Sequence, residues 1–234
     1  MSVPEAAVCG ETFREGPLAL RRTLARVAPG PVSDFPLFPL PIVLLPSEVV
    51  PLHIFEERYK LMIGECLDEE REFGIVWLAD DALKDIGCAA RITRVLERFD
   101  DGRLNILVEG TTPFRLERRI GDMAYPAGDI ELLEDEPGSD DAALERARTA
   151  YADLVEQVTD TRPEPESLAE LGAYGMAATL DIAASAKQAL LELRSEPARL
   201  EQLEALFAEA LKRIRTATRV AEQASGNGHL RPGD

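Results

Sequence analysis

Residues 88–110, CAARITRVLERFDDGRLNILVEG, carry the pattern that decides the fold. Cys88 to Phe99 and Leu104 to Val108 are rich in strand-forming residues, and Asp101-Gly102 between them is a hairpin signal. In the second strand Leu104, Ile106 and Val108 recur at every other position and so share one face. In the first, the apolar parity changes between Ile92 and Val95, which predicts a bulge or strong twist.

Upstream, Gly74 to Ala79 is a short continuous apolar run, as expected of a strand buried on both faces. Before it, Phe55, Tyr59, Met62, Ile63, Cys66 and Leu67 fall at helical spacing and predict an amphipathic helix of about three turns. Earlier still, Pro36, Pro39, Pro41 and Pro46 punctuate apolar pairs from Phe35 onward. Proline cannot donate to a ladder, so this region reads as short strand pieces at a sheet edge or end.

Downstream, Thr112, Phe114 and Leu116 alternate with polar neighbours in a further strand, and Ile130 and Leu132 close the strand-rich part. After Pro137 the period becomes helical. Leu144, Tyr151, Leu154, Val155 and Val158 mark one helix. Ser167 with Glu170 and Ser185 with Gln188 read as capping boxes for two more. Ser195 reads as an N-cap before a last helix, with Pro197 in the first turn and a stripe of Leu200, Leu203, Leu206, Phe207, Ala210, Leu211 and Ile214. Strands first and helices after is an α+β order. The expected organisation is a loose leader over 1–33, a domain over 34–222 divided into a β-rich part (34–134) and a helical part (135–222), and a disordered tail over 223–234. Leu18 to Val27 could form a short helix within the leader.

The 234 residues carry a formal charge of −17, and the acid is uneven: residues 129–170 hold 14 acidic and 3 basic side chains. That stretch reads as a solvated linker and helix face, with a docking surface for a basic partner as the alternative. The charge opposes binding to a bare phosphate backbone, so no nucleic acid is expected as a partner. No membrane is expected either, because nowhere do about 18 apolar residues run together. Three scattered cysteines, Cys9, Cys66 and Cys88, do not make a disulfide framework and favour a cytoplasmic setting.

Candidate chemistry is sparse. The four lysines, Lys60, Lys84, Lys187 and Lys212, all lack the glycine before and the Ser or Thr after that a P-loop needs. Ser185 and Lys187 stand two apart at a helix start and cannot face each other as a nucleophile–base pair. His53 with Glu56 and Glu57 makes a poor metal set and reads as a hydrogen-bonded structural histidine; no metal or other cofactor is expected. Cys66 reads as core, and Cys88 has no activating base nearby in sequence. Asp80-Asp81 and Asp100-Asp101 read as turn acids. Arg58 reads as a structural ion pair, with a partner contact as the alternative. Trp77 reads as core packing, with a ligand platform as the alternative. Phe35 and Phe38, set among prolines, could accept an extended peptide by strand addition.

Six stretches, in this order, resemble the N-terminal substrate-recognition domain of the Lon proteases: Phe35-Pro36-Leu37-Phe38-Pro39-Leu40-Pro41; Pro51-Leu52-His53-Ile54-Phe55-Glu56 with Arg58-Tyr59; Phe73-Gly74-Ile75-Val76; Gly87-Cys88-Ala89-Ala90-Arg91-Ile92; Asp101 through Gly110; and Phe114-Arg115-Leu116. The resemblance implies a PUA-like, twisted β pseudo-barrel followed by a small C-terminal helical bundle. It also implies a non-catalytic protein- or peptide-binding module whose partner is unfolded polypeptide or a specific protein, without ATPase or protease chemistry of its own. Phe35, Phe38, Arg58, Trp77 and the groove between the two parts are then the expected binding surface. An adaptor or regulator of a separate ATP-dependent protease is the alternative. An enzyme acting on a small molecule and an RNA binder suggested by the PUA-like fold stand behind it.

Overall fold

The computed structural model describes residues 30–79 and 82–226, with side chains to residue 220. Cys9, the Leu18–Val27 stretch of the expected short helix, Asp80-Asp81 and the tail residue His229 lie outside the described residues.

Seven strands are present among them: β1 (Pro31–Leu40), β2 (Val49–Ile54), β3 (Phe73–Ala79), β4 (Ala82–Leu83), β5 (Ile86–Arg98), β6 (Leu104–Ile120) and β7 (Ala127–Leu132). The hairpin at Asp101-Gly102 joins β5 to β6, and Gly102 takes the left-handed φ of +82° that the turn requires. The ladder slips between Ile92 and Arg94, where the apolar parity breaks. β6 runs unbroken through Pro113 and Phe114, so the strand expected at Thr112–Leu116 is its second half.

The length of β6 shapes the sheet. Its first half pairs antiparallel with β2, its second half with β7, and β5 follows it on the other side. β7 then pairs with the start of β1, and the end of β1 pairs in parallel with β3, which returns to β5. The sheet β1-β7-β6-β5-β3 therefore closes on itself, with β1 paired on one side at a time. Phe35, Leu37, Val76, Ala89, Phe114, Leu116, Ile130 and Leu132 fill one compact cluster. The larger core lies on the other face. There Phe38, Ile75, Ile106 and Val108 meet α1 (Glu57–Asp68) through Tyr59, Met62, Ile63 and Cys66. Ile75 and Val76 belong to different clusters, so β3 is buried on both faces there, as its apolar run predicts.

The rest is helical: α2 (Asp141–Thr159), α3 (Pro165–Ala169), α4 (Ala173–Ala178), α5 (Ala184–Glu192) and α6 (Glu196–Gly226). Asp140 caps α2 by accepting from the Ala143 N–H at 2.9 Å. Neither expected capping box forms. Ser167 sits inside α3, whose N-cap is Glu164, and Ser185 sits inside α5, whose N-cap is Ala183. The side chain of Gln188 is engaged elsewhere, donating to the Ile86 carbonyl of the barrel at 3.1 Å. α6 begins directly after Ser195 and buries Leu200, Leu203, Phe207 and Leu211. Two expected limits move: β1 starts at Pro31, inside the presumptive leader, and α6 runs to Gly226, inside the presumptive tail.

Charged side chains join the two parts. Arg199, 1% exposed, donates to Asp135, to Glu196 at 2.8 Å and to the Leu193 carbonyl at 2.9 Å. Lys187 of α5 pairs with Glu48, which also accepts from the Leu45 N–H at 3.0 Å. Buried ions must be paired in this way, since desolvating a lone charge costs several kcal/mol. Part of the acidic 129–170 stretch is spent internally: Asp135 on Arg199, Asp140 on the α2 cap, Asp153 and Glu156 on Arg162.

Candidate apolar binding groove

Among the concavities that open on the described residues of the barrel, two stand out. The larger, about 570 Å³, lies where the end of β1, the end of β2, the start of α1 and the β3–β4 hairpin converge. Phe38 and Tyr59 lie against each other in it, their ring centroids 4.1 Å apart. Pro39, Leu40 and Pro41 line it from β1, Ile54 and Phe55 from β2 and the residue after it, and Leu78 and Leu83 from the hairpin. Arg119 and Pro126 complete the lining.

Phe55 is 60% exposed and Leu78 39% exposed, so the groove holds apolar surface that the fold itself does not cover. The helical spacing placed Phe55 on the buried stripe of its helix, but α1 starts only at Glu57 and Phe55 precedes it. His53 orients the ring, stacking on it at 5.9 Å with a 22° interplanar angle. His53 is in turn held through its Nδ1, which donates to Oδ1 of Asn105 at 2.6 Å, while the Asn105 amide donates to Glu97. The histidine is hydrogen-bonded, as its setting predicts, but exposed. Arg58 pairs with Glu56 at 2.8 Å and lies 4.6 Å above the Tyr59 ring. Burial pushes the Tyr59 phenol above its ordinary value.

The smaller concavity, about 420 Å³, lies beside the start of β1 and is polar, with Arg71, Glu72, Glu109 and Thr111 in its lining. Arg91 and Glu109 close an ion pair there at 2.7 Å. Asp34, Ser47 and Glu70, which also line it, hold left-handed φ angles of 54°, 66° and 52°.

The residues expected to bind are dispersed. Phe35 and Phe38 are 5% and 6% exposed, so both side chains are buried. The reason is barrel closure: β1 has β7 along its first half and β3 along its second, so alternate side chains fall into one core cluster or the other. Phe35 packs edge-on against Phe114 at 5.8 Å. Phe38 and Arg58 line the apolar groove, Phe35 lines the polar one, and Trp77 lines neither. Trp77 is half-buried against the larger core, with the Lys84 ammonium 5.7 Å from its ring. Leu78, Leu83, Arg119 and Pro126 carry no sequence signal that sets them apart, because they meet only in three dimensions.

The remaining reactive candidates are structural. Cys66 and Cys88 are buried, and burial pushes both thiols up, away from the thiolate form. Asp101 accepts from the Arg103 backbone N–H and guanidinium, which hold its carboxyl below the usual range, as suits a turn acid. Among the described residues no group of three or more His, Cys, Asp or Glu side chains is placed to hold a metal ion, and no helix is long and apolar enough to cross a membrane.

A family model for the substrate-binding domain of ATP-dependent protease La (LON) matches residues 34–209. Lon protease 2 of Myxococcus xanthus is 23% identical, over 90% of this chain and 28% of its own length. Lon protease of Anaeromyxobacter dehalogenans is 24% identical, over 80% of this chain and 24% of its own length. The chain thus spans about a quarter of the length of these curated relatives. Among solved structures, the Lon N-terminal domain protein from Xanthomonas campestris superposes with a TM-score of 0.58 at 26% identity, over 74% of this chain and 98% of that one. The N-terminal domain of the Mycobacterium avium complex Lon protease superposes equally well, at 0.58, but at 18% identity, over 75% of this chain and 98% of its own; it speaks to the fold alone.

Proposed function

The chain belongs to the family of Lon substrate-binding domains, and from that premise we propose that it is a non-catalytic module that captures segments of polypeptide in the apolar groove at the start of α1. The observation that carries this reading is uncovered apolar surface gathered in one concavity: Phe55 at 60% and Leu78 at 39% exposure, over the paired Phe38 and Tyr59 rings. Apolar surface concentrated in a cleft is characteristic of a binding site, whereas scattered exposed apolar residues are ordinary. The chemistry suits non-native protein, which exposes apolar side chains that a folded protein hides.

The test is retention of a permanently unfolded polypeptide, reduced and carboxymethylated, by the full chain and by a Phe55→Asp/Leu78→Asp double variant. Both positions are substantially exposed, so the variant is expected to fold. The wild-type chain is expected to retain the polypeptide and the variant to lose it; equal retention by the two overturns the assignment to this groove.

A further inference from the structure

The groove wall formed by β1 has an unusual backbone. Successive residues of a strand direct their N–H and C=O groups to opposite sides. The Leu37 N–H donates to the Pro126 carbonyl at 2.8 Å, which places the odd-numbered backbone groups on the side away from β3. Phe38 and Leu40 then face β3, with which β1 pairs from Leu37 to Leu40. On the groove side the next position is Pro39, which has no N–H, and the first residue beyond the strand is Pro41, which has none either. β7 pairing ends at Pro36, so no other strand covers this stretch. The wall therefore presents acceptors and no free donor. A ladder needs donors and acceptors in alternation, so an incoming strand cannot form a continuous ladder there. Of the other nearby strands without a second partner, β2 carries Pro51 at mid-strand and β4 is only two residues long, too short for a ladder.

Charge points the same way. The groove's charged residues are Glu56, Arg58 and Arg119, and the first two neutralise each other, so its balance is +1 on a chain of −17. The matching occupant is an uncharged, apolar stretch of chain.

Resting on the reading above, we propose that this groove recognises apolar side chains and not peptide backbone, so that it holds an apolar stretch of non-native polypeptide in either chain direction and without strand addition. Such a site tolerates many sequences, because the register that backbone pairing imposes is absent.

The experiment compares three fluorescein-labelled peptides by anisotropy against the full chain: a twelve-residue peptide of Leu, Phe, Ala and Ser, the same residues in reversed order, and the first peptide methylated at every second backbone nitrogen. All three are also titrated against Phe55→Asp/Leu78→Asp. The expected result is dissociation constants within about threefold of one another for the wild-type chain, and loss of all three with the variant. Tenfold or greater weakening on methylation or reversal, with the variant still losing the parent peptide, overturns side-chain recognition while keeping the groove. Binding that survives in the variant, or no binding of any peptide, overturns both.

Discussion

Replacing Phe55 by alanine separates binding from stability, and its size can be worked from the ring's exposure. A buried aromatic side chain covers about 150–250 Å². With 60% of Phe55 open, about 90–150 Å² is left for a ligand to cover, worth at most about 2–4 kcal/mol at roughly 25 cal/mol per Å². Partial cover and the surface that alanine keeps reduce the expected loss to about 1.4–2 kcal/mol, a ten- to thirtyfold rise in Kd. The fold loses only the contacts of the part already buried, at most about 1.5–2.5 kcal/mol, against a typical total of about 5–15 kcal/mol. The control is Leu61→Ala, which removes an apolar side chain of comparable exposure, 46%, from the same helix region but outside the groove. Anisotropy titration of the labelled apolar peptide measures binding, and urea unfolding followed through Trp77, the single tryptophan, measures stability. A Kd for Phe55→Ala within twofold of wild type, or an equal weakening by Leu61→Ala, refutes the reasoning.

Gly110→Ala is expected to be severely destabilising, because the new Cβ would stand 2.1 Å from the Leu45 carbonyl oxygen. Relieving that clash separates β6 from the 45–48 turn and breaks the Ser47-to-Gly110 and Gly110-to-Glu48 backbone hydrogen bonds. Two such bonds at about 1 kcal/mol each, with an overpacking cost of about 1–3 kcal/mol, give a loss of about 3–5 kcal/mol, and a urea midpoint within 0.5 M of wild type (roughly 1 kcal/mol) contradicts it. Alkaline pH provides a further check. Burial, and donation to Glu65, push the Tyr125 phenol up to about 12, and burial raises Tyr59 and Tyr174 as well. The unfolded chain ionises its tyrosines near pH 10 while the folded chain keeps these protons, so the contribution of these tyrosines to stability is full below about pH 10 and is lost as pH rises toward 12. The urea midpoint should fall over that range, and less steeply in Tyr125→Phe; a flat midpoint contradicts the assignment.

Much of the fold follows from local pattern. The β5–β6 hairpin, the bulge after Ile92, the double burial of β3 and the apolar stripe of α6 all come from spacing, and spacing is set by backbone geometry before any tertiary contact forms. The capping boxes at Ser167 and Ser185 fail because a cap is only a local preference. At Gln188 a hydrogen bond to the barrel outcompetes it. The prolines of β1 were legible as a barrier to pairing, but their consequence was not. In sequence they signal an edge strand, whereas in the molecule they belong to a strand that is paired on one side at a time.

By itself, then, the sequence determined the α+β order, the element types, the concentration of acid in 129–170 and the family resemblance, all of which rest on residues near one another in the chain. Tertiary structure alone decided which apolar residues remain open. Phe35, Phe38, Phe55 and Leu78 are alike in hydropathy; closure of β1 between β7 and β3 buries the first two, and the start of α1 at Glu57 leaves Phe55 beside Leu78 in the open groove. Exposure is a property of what packs against a side chain, and those neighbours come from distant parts of the chain.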